Sequence, residues 1–258
     1  MKRTQKQVVY GLFYACVWAG IFFGFWAVFV KPAPSCTDNL KNRDEVETDC
    51  GGQFCVGCEI KRLPPLQILP VQILSGIDSA HSMAVVELRN PNSTYGTPKL
   101  TYDLTIFKSN PKQIAYSERV DLPMYPSEVK YRIAVNVPIP FSEITGGSAV
   151  QSGEAIAWRT ADVFAKPQLP IREIKTIVTA DRIVVNGLVK NDNPYQMRRV
   201  TVNVLFEDAA GKIQTASKTV VNDVIAFEER SFQVVLPLPA GFSAGSSSLP
   251  RVVVDGER

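Results

Sequence analysis

The sequence predicts an all-β protein: two tandem β-sandwiches behind one N-terminal transmembrane helix and a small disulfide-stapled segment. Three observations carry this. Residues 8–30 hold no charged side chain. Four of the five cysteines fall between Cys36 and Cys58. Beyond Pro64-Pro65 the chain turns to short alternating runs bounded by Pro, Gly, Asn and Asp, and several recur about 100 positions later.

The uncharged run is VVYGLFYACVWAGIFFGFWAVFV. At ~1.5 Å rise per residue, a helix of this length spans a ~30 Å hydrocarbon core with some tilt. Tyr10, Tyr14, Trp18 and Trp26 supply rings of the kind that settle at the interfaces. Lys2, Arg3 and Lys6 precede the run, so residues 1–7 are expected as a cytoplasmic stub and everything after Lys31 outside. A cleaved signal peptide would have an apolar region of roughly 7–15 residues and a small-residue cleavage site. This run is longer and exits into Lys31-Pro32-Ala33-Pro34; Ala33-Pro34-Ser35 before Cys36 is a weak lipobox. Gly20 and Gly24 form a small-xxx-small pair, through which two such helices can approach to make a homo-oligomer. Glycine is also simply common in membrane helices.

The chain has 28 Lys+Arg and 25 Asp+Glu; setting aside Lys2, Arg3 and Lys6 leaves 25 of each beyond the helix. That balance argues against nucleic acid and against electrostatic adhesion to anionic lipid. The integral membrane itself is the expected first partner.

Residues 31–65 form the expected stalk. Outside the cytoplasm an even set of cysteines is read as disulfides, and Cys36, Cys50, Cys55 and Cys58 allow three pairings. So short a segment has no room for a core, so covalent staples must hold it. Rival chemistries are weaker. Zinc favours two short chelating pairs, and only Cys55-Val56-Gly57-Cys58 is one. A thioredoxin-like site needs a βαβ context, and c-type haem needs His where Glu59 stands. Asp38, Asn39, Asn42, Asp44, Glu45, Glu47 and Asp49 are hard oxygen donors suited to calcium, without the spacing of an EF-hand loop. No cofactor is expected, with calcium at Asp38, Asn42, Asp44, Glu45 and Asp49 as the one alternative.

This segment resembles a short extracellular module written C-x-D-x-x-x-N-x-x-E-x-x-x-D-C-G-G-x-C-x-x-C. Cys36, Asp38, Asn42, Glu45, Asp49, Cys50, Gly51 and Gly52 match it, and the Cys50–Cys55 gap is one residue longer. The resemblance implies an extracellular linker or cap rather than a reaction.

The rest reads as a duplication. VELRNPN from Val86 aligns with GLVKNDN from Gly187, FKSNPKQI from Phe107 with FEDAAGKI from Phe206, and YRIAVNVPIP from Tyr131 with RSFQVVLPLP from Arg230. The offsets drift from 101 to 99, which predicts one residue lost in each of two loops. LTYDLTIF and VTVNVLF alternate as half-buried strands with one wet face. Last strands are expected at Ala155–Arg159 and Arg251–Val254, after loops GGSAVQSGEA and AGFSAGSSSLP. Two copies, 66–165 and 166–258, built of many short strands without helix, fit an immunoglobulin-like sandwich. Neither carries a cysteine, so the inter-sheet bridge of antibody domains is missing, and Trp158 is a candidate core residue of the first.

The second copy resembles the FxLYD domain, an exported bacterial relative of the late-embryogenesis-abundant β-sandwich. Gly187, Asn191, Phe206, Asp208, Gly211, Lys212 and Phe232 carry the match; the family's LYD core is Leu205-Phe206-Glu207-Asp208 here. The first copy keeps Asn90 and Phe107 but has Ser109 and Lys112 in the hairpin. The resemblance implies fold and export, not an activity.

His81 is the only histidine, so any Ser-His-Asp or Cys-His apparatus would have to use it. No Gly-rich phosphate loop and no HExxH occurs. Tyr95, Tyr125 and Tyr195 lie in or near loops, as binding anchors or as plugs of the sandwich ends. The expectation is a membrane-anchored, extracytoplasmic, non-enzymatic scaffold or binding subunit of an envelope or surface complex. Thiol-redox or metal chemistry at Cys50–Cys58, and a passive spacer, are the alternatives.

Overall fold

The computed structural model describes residues 3–26, 35–108, 113–208, 210–239 and 249–258. The chain is mostly β-sheet and divides into two units, Met1–Leu63 and Pro64–Arg258. The first opens with helix α1 (Arg3–Phe25), whose stretch Gln7–Phe25 has a mean hydropathy of 1.9. Among the described residues it is the one helix long and apolar enough to cross a membrane. Residues 27–30 of the expected span lie outside the described residues.

The second unit holds the duplication. Its first copy runs β1 (Gln67–Ile68), β2 (Gln72–Ser75), β3 (Ser82–Arg89), β4 (Tyr95–Lys108), β5 (Gln113–Met124), β6 (Val129–Val137), β7 (Ile144–Gln151) and β8 (Arg159–Thr160). Its second runs β9 (Ile171–Val178), β10 (Arg182–Lys190), β11 (Met197–Glu207), β12 (Ile213–Val224), β13 (Glu229–Pro237) and β14 (Arg251–Glu257). All pairings are antiparallel. In copy one, β3 lies between β6 and the short β1 and β2, and β4 lies between β5 and β7. In copy two, β10 lies between β9 and β13, and β11 between β12 and β14.

Alternation explains why two sheets share each core. Ala84, Val86 and Leu88 of β3 meet Leu100, Tyr102, Leu104 and Ile106 of β4 in the first cluster, with Trp158 packed at its margin. Ile183, Val185 and Val189 of β10 meet Val200, Val202, Val204 and Phe206 of β11 in the second. Gly187 interrupts the inward row of β10, and its paired residue on β13 is Phe232. A Cβ at Gly187 would stand 2.7 Å from the Phe232 ring, so this glycine makes room for an aromatic laid across it.

A third cluster was not foreseen. Leu74, Met83, Val85, Tyr131 and Ile133 of copy one pack against Leu205, Ile213 and Ala216 of copy two. The expected wet face of VTVNVLF is therefore buried: Leu205 is fully enclosed and Asn203 nearly so. On LTYDLTIF the outward Asp103 does remain exposed.

Two further expectations are corrected. GGSAVQ is not loop but the body of β7, pairing Gly146 with Phe107 and Gly147 with Ile106; only Arg159 of the expected Ala155–Arg159 strand is in β-structure. Ile106, not Phe107, takes the core place that Phe206 holds in copy two. The drift in offset does arise at two turns. Asn90 and Tyr95 are five positions apart where Asn191 and Tyr195 are four, a loop deletion. The other is the hairpin: Ile106 pairs with Tyr116, ten positions on, where Phe206 pairs with Thr215, nine positions on. A bulge shifts the count again further along: β3 pairs Ala84 with Ala134 and Ser82 with Val137, whereas β10 pairs Val185 with Val234 and Ile183 with Leu236. Asn136 takes the extra place at φ 56°. The turn Ser109–Lys112 and most of the Ala240–Pro250 loop lie outside the described residues.

Candidate functional site

Two places concentrate polar side chains: the cysteine segment, and a groove where the two β-copies meet. In the first, Cys36 bonds to Cys55 and Cys50 to Cys58, which selects one of the three pairings. The four sulfurs that a zinc or dithiol site would use as thiolates are thereby joined in pairs. Among the described residues here the one regular helix is the single turn α2 (Cys58–Lys61), so side-chain acceptors do the work of secondary structure. Asp38 takes the Leu40 amide at 2.9 Å and the Asn42 side-chain amide at 2.8 Å. The Leu40 amide is the main reason the Asp38 carboxyl sits below its ordinary range. Glu45 takes the amides of Asn42 and Asp49 at 3.1 and 3.2 Å, and Asp49 takes that of Asn39 at 3.0 Å. Asp44 takes the Gln53 amide. Gly52, at φ +73°, lies so close to the Asp44 carbonyl that a Cβ would stand 2.3 Å from its oxygen. The residues that carry the module resemblance are thus one hydrogen-bonded lattice around two disulfides. Glu47 lies beside Arg62 in an ion pair.

The groove is a cavity of about 550 Å³. Copy one contributes Glu118, Lys130 and Arg132; copy two contributes Arg199, Lys218 and Asp255. Its floor is a buried ionic cluster. Lys130 Nζ lies 3.2 Å from Asp255 across the copies, 3.5 Å from Glu128 and donates to the Pro123 carbonyl at 2.8 Å. Glu128 also holds Lys166 at 2.8 Å, and Asp255 accepts from Asn203 at 3.1 Å. Burial pushes the Asp255 carboxyl up; Lys130 opposes it. Charges this deep are tolerable because every one has an opposite partner and a polar neighbour. Sequence inspection missed this cluster. The signal was present as Glu128-Val129-Lys130 matched by Glu228-Glu229-Arg230 at an offset of 100.

Lys218 is the least compensated charge on the wall. Burial, then the nearby Arg132 guanidinium, lowers its ammonium to about 8. Because the folded state releases this proton more easily than the unfolded chain, the charge opposes folding below pH 8. The penalty fades between pH 8 and the ordinary lysine range. Lys218→Met should therefore stabilise the protein by about 1–3 kcal/mol at pH 7. Urea unfolding at pH 7 and pH 10.5 checks this: the gain should shrink at the higher pH, and an equal gain at both would refute the electrostatic cause.

The remaining candidates fall in separate places. Tyr125 is buried and stacks on Phe164 at 4.6 Å. Tyr195 donates its hydroxyl to Asn193 at 3.2 Å beneath the Arg258 guanidinium. Tyr95 is half-buried and its carbonyl accepts from Asn90. His81 lies on an exposed turn, its Nδ1 2.7 Å from Asp78. A Cβ at Gly20 or Gly24 of α1 would meet nothing within 4 Å. Asp208 closes its hairpin by taking the amides of Ala210 and Lys212, each at 2.9 Å.

No family model matches the chain, and no curated protein is similar to it.

Proposed function

We propose that the chain is a single-pass, membrane-anchored scaffold or binding subunit of an envelope or surface assembly, working without chemistry of its own. In this reading α1 stays in the membrane with residues 1–7 inside, and the disulfide-linked segment is a stalk. The two β-copies are immunoglobulin-like sandwiches of the FxLYD kind. The supporting observation is the third core together with the Lys130–Asp255 cluster beneath the groove: two small β-copies are welded by an apolar and ionic interface into one body. A joined pair of β-copies holds surfaces on both in fixed register, which is what a scaffold needs.

Topology is the first test. Protease added to intact cells or spheroplasts should remove the chain beyond Lys31 and leave an N-terminal tag protected. Digestion of the tag with protection of the β-unit would overturn the placement.

A further inference from the structure

The β12–β13 turn of copy two is an open version of a socket that copy one has filled. The two turns share one hydrogen-bond plan. Tyr125 and Ile225 each donate their amide at 2.9 Å to the glutamate three residues on, Glu128 or Glu228. Those glutamate carbonyls accept from Asn90 and Asn191, at 2.8 and 2.9 Å. The residue before each glutamate, Ser127 or Phe227, is left-handed at φ 54° and 62°. Lys130 matches Arg230 two places further on.

What differs is cover. In copy one the chain between the copies lies over the turn: Phe164 stacks on Tyr125 at 4.6 Å and Lys166 reaches Glu128 at 2.8 Å. Tyr125 is 8% exposed and the Glu128 side chain 1%. In copy two nothing among the described residues lies over it. Ile225 is 56% and Phe227 62% exposed, and Glu228 turns to its own Arg230. Two large apolar side chains are thus held out on a defined, hydrogen-bonded turn beside a carboxylate. Scattered exposed apolar residues are ordinary, but these are paired on a rigid frame whose twin is an interface.

We infer that the Ile225–Arg230 turn docks an extended segment of a partner protein that carries an aromatic residue two positions before a basic one. The chemistry is that of Phe164-Ala165-Lys166, the chain's own filling of the twin socket. The aromatic covers Ile225 and Phe227; the cation takes Glu228 in place of Arg230. This deepens the binding-subunit reading and rests on it for the partner's existence, not for the site.

The test uses the full chain in detergent micelles and a labelled peptide, Ala-Asp-Val-Phe-Ala-Lys-Pro-Gln, the sequence of residues 161–168. Fluorescence anisotropy should show saturable binding. It should weaken at least about tenfold in the double variant Ile225→Ser, Phe227→Ser, and with a peptide whose Phe is Ala, each a loss of about 1.4 kcal/mol or more. Both replaced residues are exposed, so an unchanged melting midpoint will show that the variant folds. No binding, or equal binding by the variant, overturns the inference, as does concentration-dependent dimerisation that the double substitution abolishes, which would make a second copy the occupant. Cross-linking in native membranes separates the two claims. A partner captured equally by wild type and variant leaves the scaffold reading standing and this site refuted. No partner captured while the peptide binds refutes the reading and leaves the site.

Discussion

Replacing Asn191 with leucine is expected to cost more than about 3 kcal/mol, although the side-chain volume hardly changes. Asn191 is fully buried and its amide is spent completely. Nδ2 donates to the carbonyls of Tyr195, Val224 and Ile225 at 2.8, 3.1 and 3.0 Å. Oδ1 accepts the backbone and side-chain amides of Asn193 at 3.1 and 2.8 Å. Leucine would leave these groups in an apolar place with no water to replace the lost bonds, and each orphaned group costs about 1–3 kcal/mol. Asn90→Leu should behave alike in copy one, where the same two-asparagine clasp ties Tyr95, Tyr125 and Asn92. Urea midpoints of the full chain decide it, with the exposed Asn222→Ala as a control expected to move stability by less than about 0.5 kcal/mol. A loss below about 1 kcal/mol for Asn191→Leu would mean that the clasp is decoration.

That clasp marks how far the sequence was legible. The Asn-x-Asn recurrence was visible as an aligned pair of turns, because a duplicated chain repeats whatever its backbone cannot do without. The in-out alternation of β4 and β11 gave the two cores for the same reason: period two has only one way to fold against a partner sheet. The cysteine segment yielded its disulfides from compartment and count, but not their pairing, since spacing leaves three options open. What could not be read was the surface between the copies. On VTVNVLF, Thr201 and Asn203 suggested water, and Leu205 in the same row was the one dissenting residue. On SMAVVELR, Met83 and Val85 spoil the alternation in the same way. Such residues point outward from their own core, and only the neighbouring copy makes them inward. In copy two the matching face of β10 and β13 puts Asn186, Ser231 and Gln233, beside half-buried Val184, Leu188 and Val235, where copy one has Val85, Tyr131 and Ile133, and Gln233 donates to Asn186 at 2.9 Å. Copy one likewise keeps Asp103 exposed where copy two has the buried Asn203. The groove charges escaped notice because ionisable residues are scattered along the sequence and acquire partners only through topology.

The third core makes the second large effect. Leu205→Asp should break the weld between the copies while sparing both inner cores. Leu205 has no exposed surface and sits among Met83, Val85, Tyr131, Ile133, Ile213 and Ala216, none of which can accept a proton or donate a hydrogen bond to a carboxylate except Tyr131. Truncating a buried leucine costs about 2–5 kcal/mol by cavity formation alone, and an unpaired buried charge adds to that. The protein escapes the penalty by parting the copies at this surface, because Val204 and Phe206 on the other face of β11 still pack in the second core. Wild-type protein, with its cores joined by the third cluster and by Lys130–Asp255, is expected to melt in one β-sheet transition. The variant should melt in two, with the lower one at least about 5 °C below the wild-type midpoint. Protease should also cut it faster in the segment 161–170 that joins the copies. Differential scanning calorimetry of the full chain in micelles reads the transitions directly. Val204→Asp is the contrasting variant: its charge enters the second core, so copy two should unfold outright rather than separate. A single, unshifted transition in Leu205→Asp would show that the copies do not depend on this surface, and the claim that they act as one body would fall with it.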